Sequence, residues 1–261
     1  MTTPPRAPLF KRLLTFFRLV NLGATLGDRI AIAWSFAANR LSAGPVFTTV
    51  SVAGKRFPII IDGPADRTVI REVFVDGEYS RAVQPTPRFI VDVGANVGMA
   101  SLYMAARFPD AIIYAIEPCP QTYERLVRNT ASNPSINTYN IAISSKNGEA
   151  AFFVSAAHFG SSLRARGAPG EREIRVQTLT MNSFLDQIGL ERIGLLKFDI
   201  EGHEAELLRG LDIERVGQFI GELHFDLMNE KMEWFEERLS GRKVEISQTS
   251  PYRCVIVALE P

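Results

Sequence analysis

The chain has 261 residues, enough for one substantial core with added elements at one end. It is 46% hydrophobic and 22% charged, with 29 Lys and Arg balancing 29 Asp and Glu. That balance excludes a broadly basic nucleic-acid-binding surface and the biased compositions of disordered or fibrous chains.

The charge is uneven. Residues 1–45 carry Arg6, Lys11, Arg12, Arg18, Arg29 and Arg40 against Asp28 alone, a net +5 that leaves −5 for the rest. Such an arm suits a membrane surface or an acidic partner. Two distant cysteines, Cys119 and Cys254, form neither a metal pattern nor a disulfide framework, which implies a reducing compartment. The nearest approach to a spanning segment, residues 30–38, is nine residues long, short of the ~18 to 20 a membrane helix needs. Arg18 and Asn21 interrupt the only early apolar region, so no secretory leader is expected. The expected location is cytoplasmic, with membrane association open through the basic arm.

In chain order, residues 1–8 are Pro-rich. Residues 9–22 predict an amphipathic helix, with Lys11, Thr15, Arg18 and Leu22 on one side and Leu9, Leu13, Phe16, Phe17 and Val20 on the other. Packing or dimerisation is the favoured use of that apolar face, and interfacial membrane binding the alternative. Residues 28–41 predict a second helix. Residues 46–63 have strand composition and suggest a hairpin about Gly54-Lys55. Residues 68–74 predict a short helix, and 84–87 a linker. The expected organisation is a basic helical extension (1–45), a hairpin and linker (46–87) and a main domain (88–261).

From Arg88, strands and helices alternate. Strands are expected at 89–93, 112–116, 138–143, 195–199 and 219–223, and helices at 99–107, 121–133, 181–188, 204–208 and 230–239. This is the pattern of an α/β Rossmann-like fold, a mostly parallel sheet with helices on both faces. Residues 243–247 and 253–258 predict a terminal hairpin that adds one antiparallel strand. Residues 150–154 and 173–178 suggest an added β-excursion. Its loop, 155–170, holds glycines, Ser161-Ser162 and His158, and is placed to close over a bound ligand.

The first of these strands ends in Asp92-Val93-Gly94-Ala95-Asn96-Val97-Gly98, a strand–glycine turn–helix unit. Glu117 closes the next strand, 19 residues past Gly98, near the ~20 expected of an acid that holds ribose hydroxyls. Glycines there let backbone N–H groups approach a nucleoside. Yet Asn96 replaces the second glycine of a dinucleotide fingerprint, where pyrophosphate comes closest, and Asp92 would repel phosphate. A carboxylate suits a cation. S-Adenosylmethionine carries a sulfonium and an amino group and no phosphate, so it is the expected cofactor. A nicotinamide oxidoreductase is the rival on the same fold.

Strand ends of an open parallel sheet form one rim. Asp199, Glu222 and His224 end the later strands there. Lys197 and Asp199 share a face of their strand. They read either as an ion pair with each other or as a charged pair at the active rim. Asp199 is the favoured general base, with Lys197, Glu201 and His224 as further catalytic candidates and Glu222 as an orienter for His224. His203 ranks below Asp199, and Glu204 reads as a charge match for a helix N-terminus. Asp199, Glu222 and His224 also read as a set that a divalent cation could use, but no ligand spacing is dense enough to assign a metal.

Residues 89–98, Ile116-Glu117-Pro118 and Leu196-Lys197-Phe198-Asp199-Ile200-Glu201-Gly202-His203-Glu204 resemble the ordered blocks of the FkbM-type methyltransferases. Asn140-Ile141-Ala142-Ile143, residues 160–163 and Glu222-Leu223-His224 add weaker matches. The resemblance spans about residues 73–260 and implies a seven-stranded sheet with an antiparallel strand near the C-terminus. It also implies methyl transfer from S-adenosyl-L-methionine, usually to hydroxyls of diverse acceptors such as sugars, glycans or secondary metabolites. Residues matching the family's cofactor blocks are Asp92, Gly94, Ala95, Asn96, Gly98, Glu117, Pro118, Asn140, Ala142 and Asp199. N-methylation and a non-catalytic, partner-binding role stay open as alternatives.

Overall fold

A computed structural model describes residues 9–38, 44–80, 86–155, 161–167 and 169–260. The chain forms two compact units, 1–78 and 79–261.

In the first unit, helix α1 (Leu9–Asn21) is followed by α2 (Leu26–Ala38), then by a hairpin of β1 (Val46–Val52) and β2 (Lys55–Ile61), α3 (Pro64–Ile70) and a π-helical turn, Arg71–Asp76. The hairpin turn is Ala53-Gly54, one residue earlier than the sequence suggests. Both residues adopt positive φ (48° and 78°), the twist that two-residue hairpin turns require. Asp28 secures the start of α2: its carboxylate accepts from Thr25 N–H and Oγ1 and from Thr49 N–H of β1. On α1, Leu19 is buried and Phe16 packs edge-on against Phe36 of α2, but Phe10, Leu13, Leu14 and Phe17 are exposed. No helix among the described residues is long and apolar enough to cross a membrane.

The second unit alternates β3 (Phe89–Val93), α4 (Met99–Arg107), β4 (Ile112–Ile116), α5 (Pro120–Thr130) and β5 (Ile136–Tyr139). A short strand β6 (Ala142–Ile143) follows, then β7 (Gly148–Val154), β8 (Arg172–Leu179), α6 (Met181–Gln187), β9 (Ile193–Phe198) and α7 (Glu204–Arg209). The chain continues through β10 (Val216–His224), α8 (Met232–Arg238), β11 (Lys243–Ser250) and β12 (Arg253–Leu259). Seven strands form one sheet in the order β11-β12-β10-β9-β3-β4-β5. β5, β4, β3, β9 and β10 pair in parallel, and β12 inserts antiparallel to β10 and β11. The fold is the expected Rossmann-like α/β architecture with its one antiparallel strand. Nearly every residue of β3, β9 and β10 is buried, as strands covered on both faces must be. Phe184, Phe198, Phe219 and Phe235 are among its largest fully buried side chains. Each contributes about 1.5 to 3 kcal/mol through burial.

The strand expected at 138–143 divides. β5 ends at Tyr139, and after exposed Asn140 the chain leaves the main sheet, so β6 joins β8 and β7 in a separate three-stranded sheet. The β-excursion forms as expected, β7 antiparallel to β8. Strand order reverses beside β3: the chain runs outward through β4 and β5, then returns to β9 on β3's other side. Folds of this kind bind their ligands at such a reversal, beyond the carboxyl ends of the strands that flank it, which here are β3 and β9.

Candidate active site

Apolar residues carry β3 and β9 through the core, and both strands break into turns at the same edge. Gly94 (φ 74°) is needed for two reasons: its dihedral is left-handed, and a Cβ would overlap the carbonyl oxygen of Asp199. The β3 turn is thereby pressed against the end of β9. Asn96 and Glu201, each in the turn after its strand, also adopt left-handed φ (50° and 53°), strain of a kind that clusters at functional sites.

The turn's amides face inward, which corrects the expectation that they await a ligand. Gly94 and Ala95 N–H both donate to the Ile116 carbonyl, Gly98 N–H to Ala95, and Asn96 N–H to Glu117 Oε2. Asp92 is also withdrawn. It is fully buried, with Oδ2 accepting from Ser101 Oγ at 2.6 Å and Oδ1 lying 2.9 Å from Lys197 Nζ. Its cation is thus Lys197, directly opposite it in the β3–β9 register. Lys197 is 2% exposed, donates to the Gly94 carbonyl at 3.0 Å and lies over the Tyr79 ring. The Lys–Asp pair expected from the sequence exists, but Asp92 rather than Asp199 is the partner. It fixes the turn from beneath and removes Lys197 from the rim.

Glu117 stands at the tip of β4, its Oε1 accepting from Cys119 N–H and its Oε2 from Asn96 N–H. Burial pushes its pKa up to about 7, against the lowering effect of those two bonds. Asn140 Nδ2 donates to the carbonyls of Glu117 and Pro118 and so clamps this corner. Ala142 is buried beside Cys119, Phe152 and Val176, which makes Cys119 a core residue.

On the other side of β3 the later strand ends converge on one imidazole. His224, the last residue of β10, is fully buried. Its Nδ1 lies 2.8 Å from Glu204 Oε1, and its Nε2 lies 3.4 Å from Glu201 Oε2, 3.4 Å from Glu222 Oε2 and 3.8 Å from Asp199 Oδ1. Burial alone would lower the ring's pKa, but Glu204, Glu222 and Asp199 override it and raise it to about 11. An imidazolium cannot accept a proton, which argues against His224 as a base. Glu204 makes the closer contact and holds Nδ1, while Glu222, the expected orienter, faces Nε2 at 3.4 Å. Glu204 has no exposure and also accepts from Gly202 N–H, so it does more than match a helix dipole.

The Asp199 side chain is 31% exposed, yet its Oδ1 is buried, so its accessible part is the Oδ2 side. Burial raises its pKa to about 7, opposed by His224 and Lys197. His203 bonds Ser144 Oγ through Nε2, and burial lowers its pKa. His158 and part of the loop at 155–170 lie outside the described residues. Arg166, from the described part, reaches Glu201 at 2.9 Å. Sequence reasoning missed Ser101 and Arg166, and gave Glu204, the acid that closes the block at 196–204, only a charge-matching role.

The sequence profile of the Methyltransferase FkbM domain matches residues 92–240. Methyltransferase sdnD of Sordaria araneosa is 29% identical over 224 residues, covering 66% of this chain and 86% of that protein. The 31-O-demethyl-FK506 methyltransferase FkbM of Streptomyces tacrolimicus is 28% identical over 189 residues, covering 59% of this chain and 73% of its own. Among solved structures, methyltransferase FkbM from Methylobacillus flagellatus KT aligns with 11% identity and a TM-score of 0.49, over 95% of this chain and 59% of that one.

Proposed function

Because the chain belongs to the FkbM methyltransferase family, we propose that it moves the methyl group of S-adenosyl-L-methionine to a hydroxyl oxygen on a sugar, glycan or secondary-metabolite acceptor. The observation that carries the cofactor assignment is Glu117. Two backbone N–H groups hold its carboxylate at the tip of β4, next to the β3 turn, where ribose hydroxyls of a nucleoside would donate to it. The O-methyl product implied by the name of the Streptomyces relative supports oxygen as the attacking atom.

The reaction is an in-line displacement. An acceptor oxygen held about 3 to 3.5 Å from the methyl carbon forms the new C–O bond as the C–S bond breaks. The electron pair goes to sulfur, leaving S-adenosylhomocysteine. The hydroxyl proton passes to Asp199 and then to solvent. Asp199 suits this role, since a base works best with a pKa near the operating pH and its Oδ2 side is the open one. Lys197 acts as a positioning residue through Asp92 and Gly94, and His224 through the charge it presents to Asp199 and Glu201.

The test is Asp199→Asn, assayed with tritiated methyl donor over a panel of sugar and polyketide acceptors, beside donor affinity by calorimetry. Turnover should fall by ~10²- to 10⁴-fold, the range for a lost general base, with donor affinity within a few-fold. Undiminished turnover would remove Asp199 from the mechanism. Labelled products methylated on nitrogen would move the chemistry from oxygen.

A further inference from the structure

The geometry points to a divalent cation site formed by His224 Nε2, Asp199 Oδ1 and a Glu201 carboxylate oxygen, open on the side that faces the acceptor. The ligand atoms of these three residues all lie within 4.8 Å of one another. Six ligands about 2.1 Å from a cation stand about 3.0 Å apart when adjacent and about 4.2 Å when opposite. The observed 3.4 Å from Nε2 to Glu201 and 3.8 Å to Asp199 fall between those values. Glu222 Oε2, also 3.4 Å from Nε2, supplies a further oxygen.

The independent sign is an orphan. His224 is fully buried, yet its Nε2 makes no close hydrogen bond among the described residues: Glu201 and Glu222 stand off at 3.4 Å, and Asp199 Oδ1, aimed toward it at 3.8 Å, makes none either. A buried polar atom whose hydrogen bonds are long or unmade costs about 1 to 3 kcal/mol, and an ion held between such atoms would remove that cost. The other ring nitrogen is bound to a carboxylate, Glu204, at 2.8 Å. Metal-binding histidines are oriented by this carboxylate–imidazole arrangement, which leaves the second nitrogen facing the metal. Arg166 and Arg253 also reach Glu201 Oε2, at 2.9 and 3.7 Å, so a cation competes with two guanidinium groups for that oxygen.

One imidazole and two carboxylates suit a first-row dication such as Mn²⁺ better than Ca²⁺, which prefers an all-oxygen shell. With three protein ligands, positions remain for the acceptor. Two neighbouring oxygens, as in a vicinal diol of a sugar, would fill them together and fix one hydroxyl in line with the methyl group. Binding would release the proton that His224 carries at Nε2, since a metal ligand must be deprotonated, and would hold Asp199 ionised through Oδ1 with Oδ2 left to accept a hydrogen bond from the acceptor hydroxyl. This role in acceptor choice rests on the methyl-transfer reading; cation binding stands apart from it.

The experiment uses the full chain, stripped with a chelator and titrated with MnCl₂ while the signal of free Mn²⁺ is followed by electron paramagnetic resonance. One Mn²⁺ per chain should bind, with nitrogen modulation from one imidazole in pulsed spectra. Asp199→Asn and His224→Gln should each weaken binding at least tenfold, and Glu204→Gln by ~10- to 100-fold, the usual effect of losing an orienting partner. Urea midpoints identify any variant that fails to fold, and Asp199→Asn, on a partly exposed side chain, is the one least exposed to that failure. No binding at 1 mM Mn²⁺, or equal binding by folded Asp199→Asn, overturns the site. The same stripped sample is titrated with S-adenosylmethionine. Donor binding without Mn²⁺ binding overturns the cation site alone, and Mn²⁺ binding without donor binding overturns the methyl-transfer reading alone.

Discussion

Glu117→Gln should remove a pH dependence from the stability of this protein. Glu117 is 7% exposed, and burial pushes its pKa up to about 7, against an ordinary value of 4.5. Below pH 4.5 the carboxyl holds its proton in both folded and unfolded chains, and burial carries no charge penalty. As pH rises from 4.5 to about 7, the unfolded chain releases the proton while the folded chain keeps it, so stability is lost across that window. Above it both states are ionised and the loss is constant. At about 1.4 kcal/mol per pH unit, the interval amounts to roughly 3 kcal/mol. Gln cannot ionise, and it accepts from only one of the two N–H groups that Glu117 satisfies. That second effect costs ~1 kcal/mol at every pH and does not alter the slope. The assay is urea unfolding of both proteins from pH 4.5 to 8. Stability of the parent relative to the variant should fall by roughly 3 kcal/mol up to about pH 7 and then level off. Parallel curves would refute the buried, proton-holding carboxyl.

Three further outcomes follow from the same geometry. Lys197→Met should cost about 3 to 5 kcal/mol, because it strands the buried Asp92 charge. Adding Asp92→Asn should recover part of that loss; a double variant as unstable as the sum of its parts would contradict the pairing. Gly94→Ala should cost ~2 kcal/mol or more in urea unfolding, since its Cβ strikes the Asp199 carbonyl at a left-handed φ; an unperturbed variant would show that the β3 turn is not pressed on β9. Binding of the methyl donor near pH 7 should release a fraction of a proton from Glu117, seen as heats that differ between buffers of different ionisation enthalpy; buffer-independent heats would separate Glu117 from the ligand.

Much of the fold was legible because its signals are local. β3, α4 and β4 match the residues expected of them, since short, largely apolar strands bounded by Gly94 and by Glu117-Pro118 leave little freedom. The strand expected at 138–143 was misread because Ile141 and Ala142 continue the apolar pattern while Asn140 turns the chain out of the sheet, clamped to carbonyls distant in sequence. The site was legible as a set of strand ends and illegible as a set of partners. Asp92, Lys197, Asp199 and His224 all reach the right edge, but which acid meets which cation depends on strand register. Asp92 faces Lys197 only because β3 and β9 align as they do. Glu204 meets His224 because α7 starts beside the end of β10, a relation that neither segment carries alone. On α1 the periodicity identifies the apolar residues but not which of them turn inward: Phe16 packs, while Phe17 stays exposed.

The most direct test is calorimetric titration of the purified chain with S-adenosylmethionine, with Glu117→Ala and NAD as comparisons. One donor should bind per chain, Glu117→Ala should weaken it by ~10- to 100-fold for a lost charge-assisted contact, and NAD should give no heat. A chain that ignores the donor, or a Glu117→Ala variant that binds it as tightly as its parent, would contradict the account.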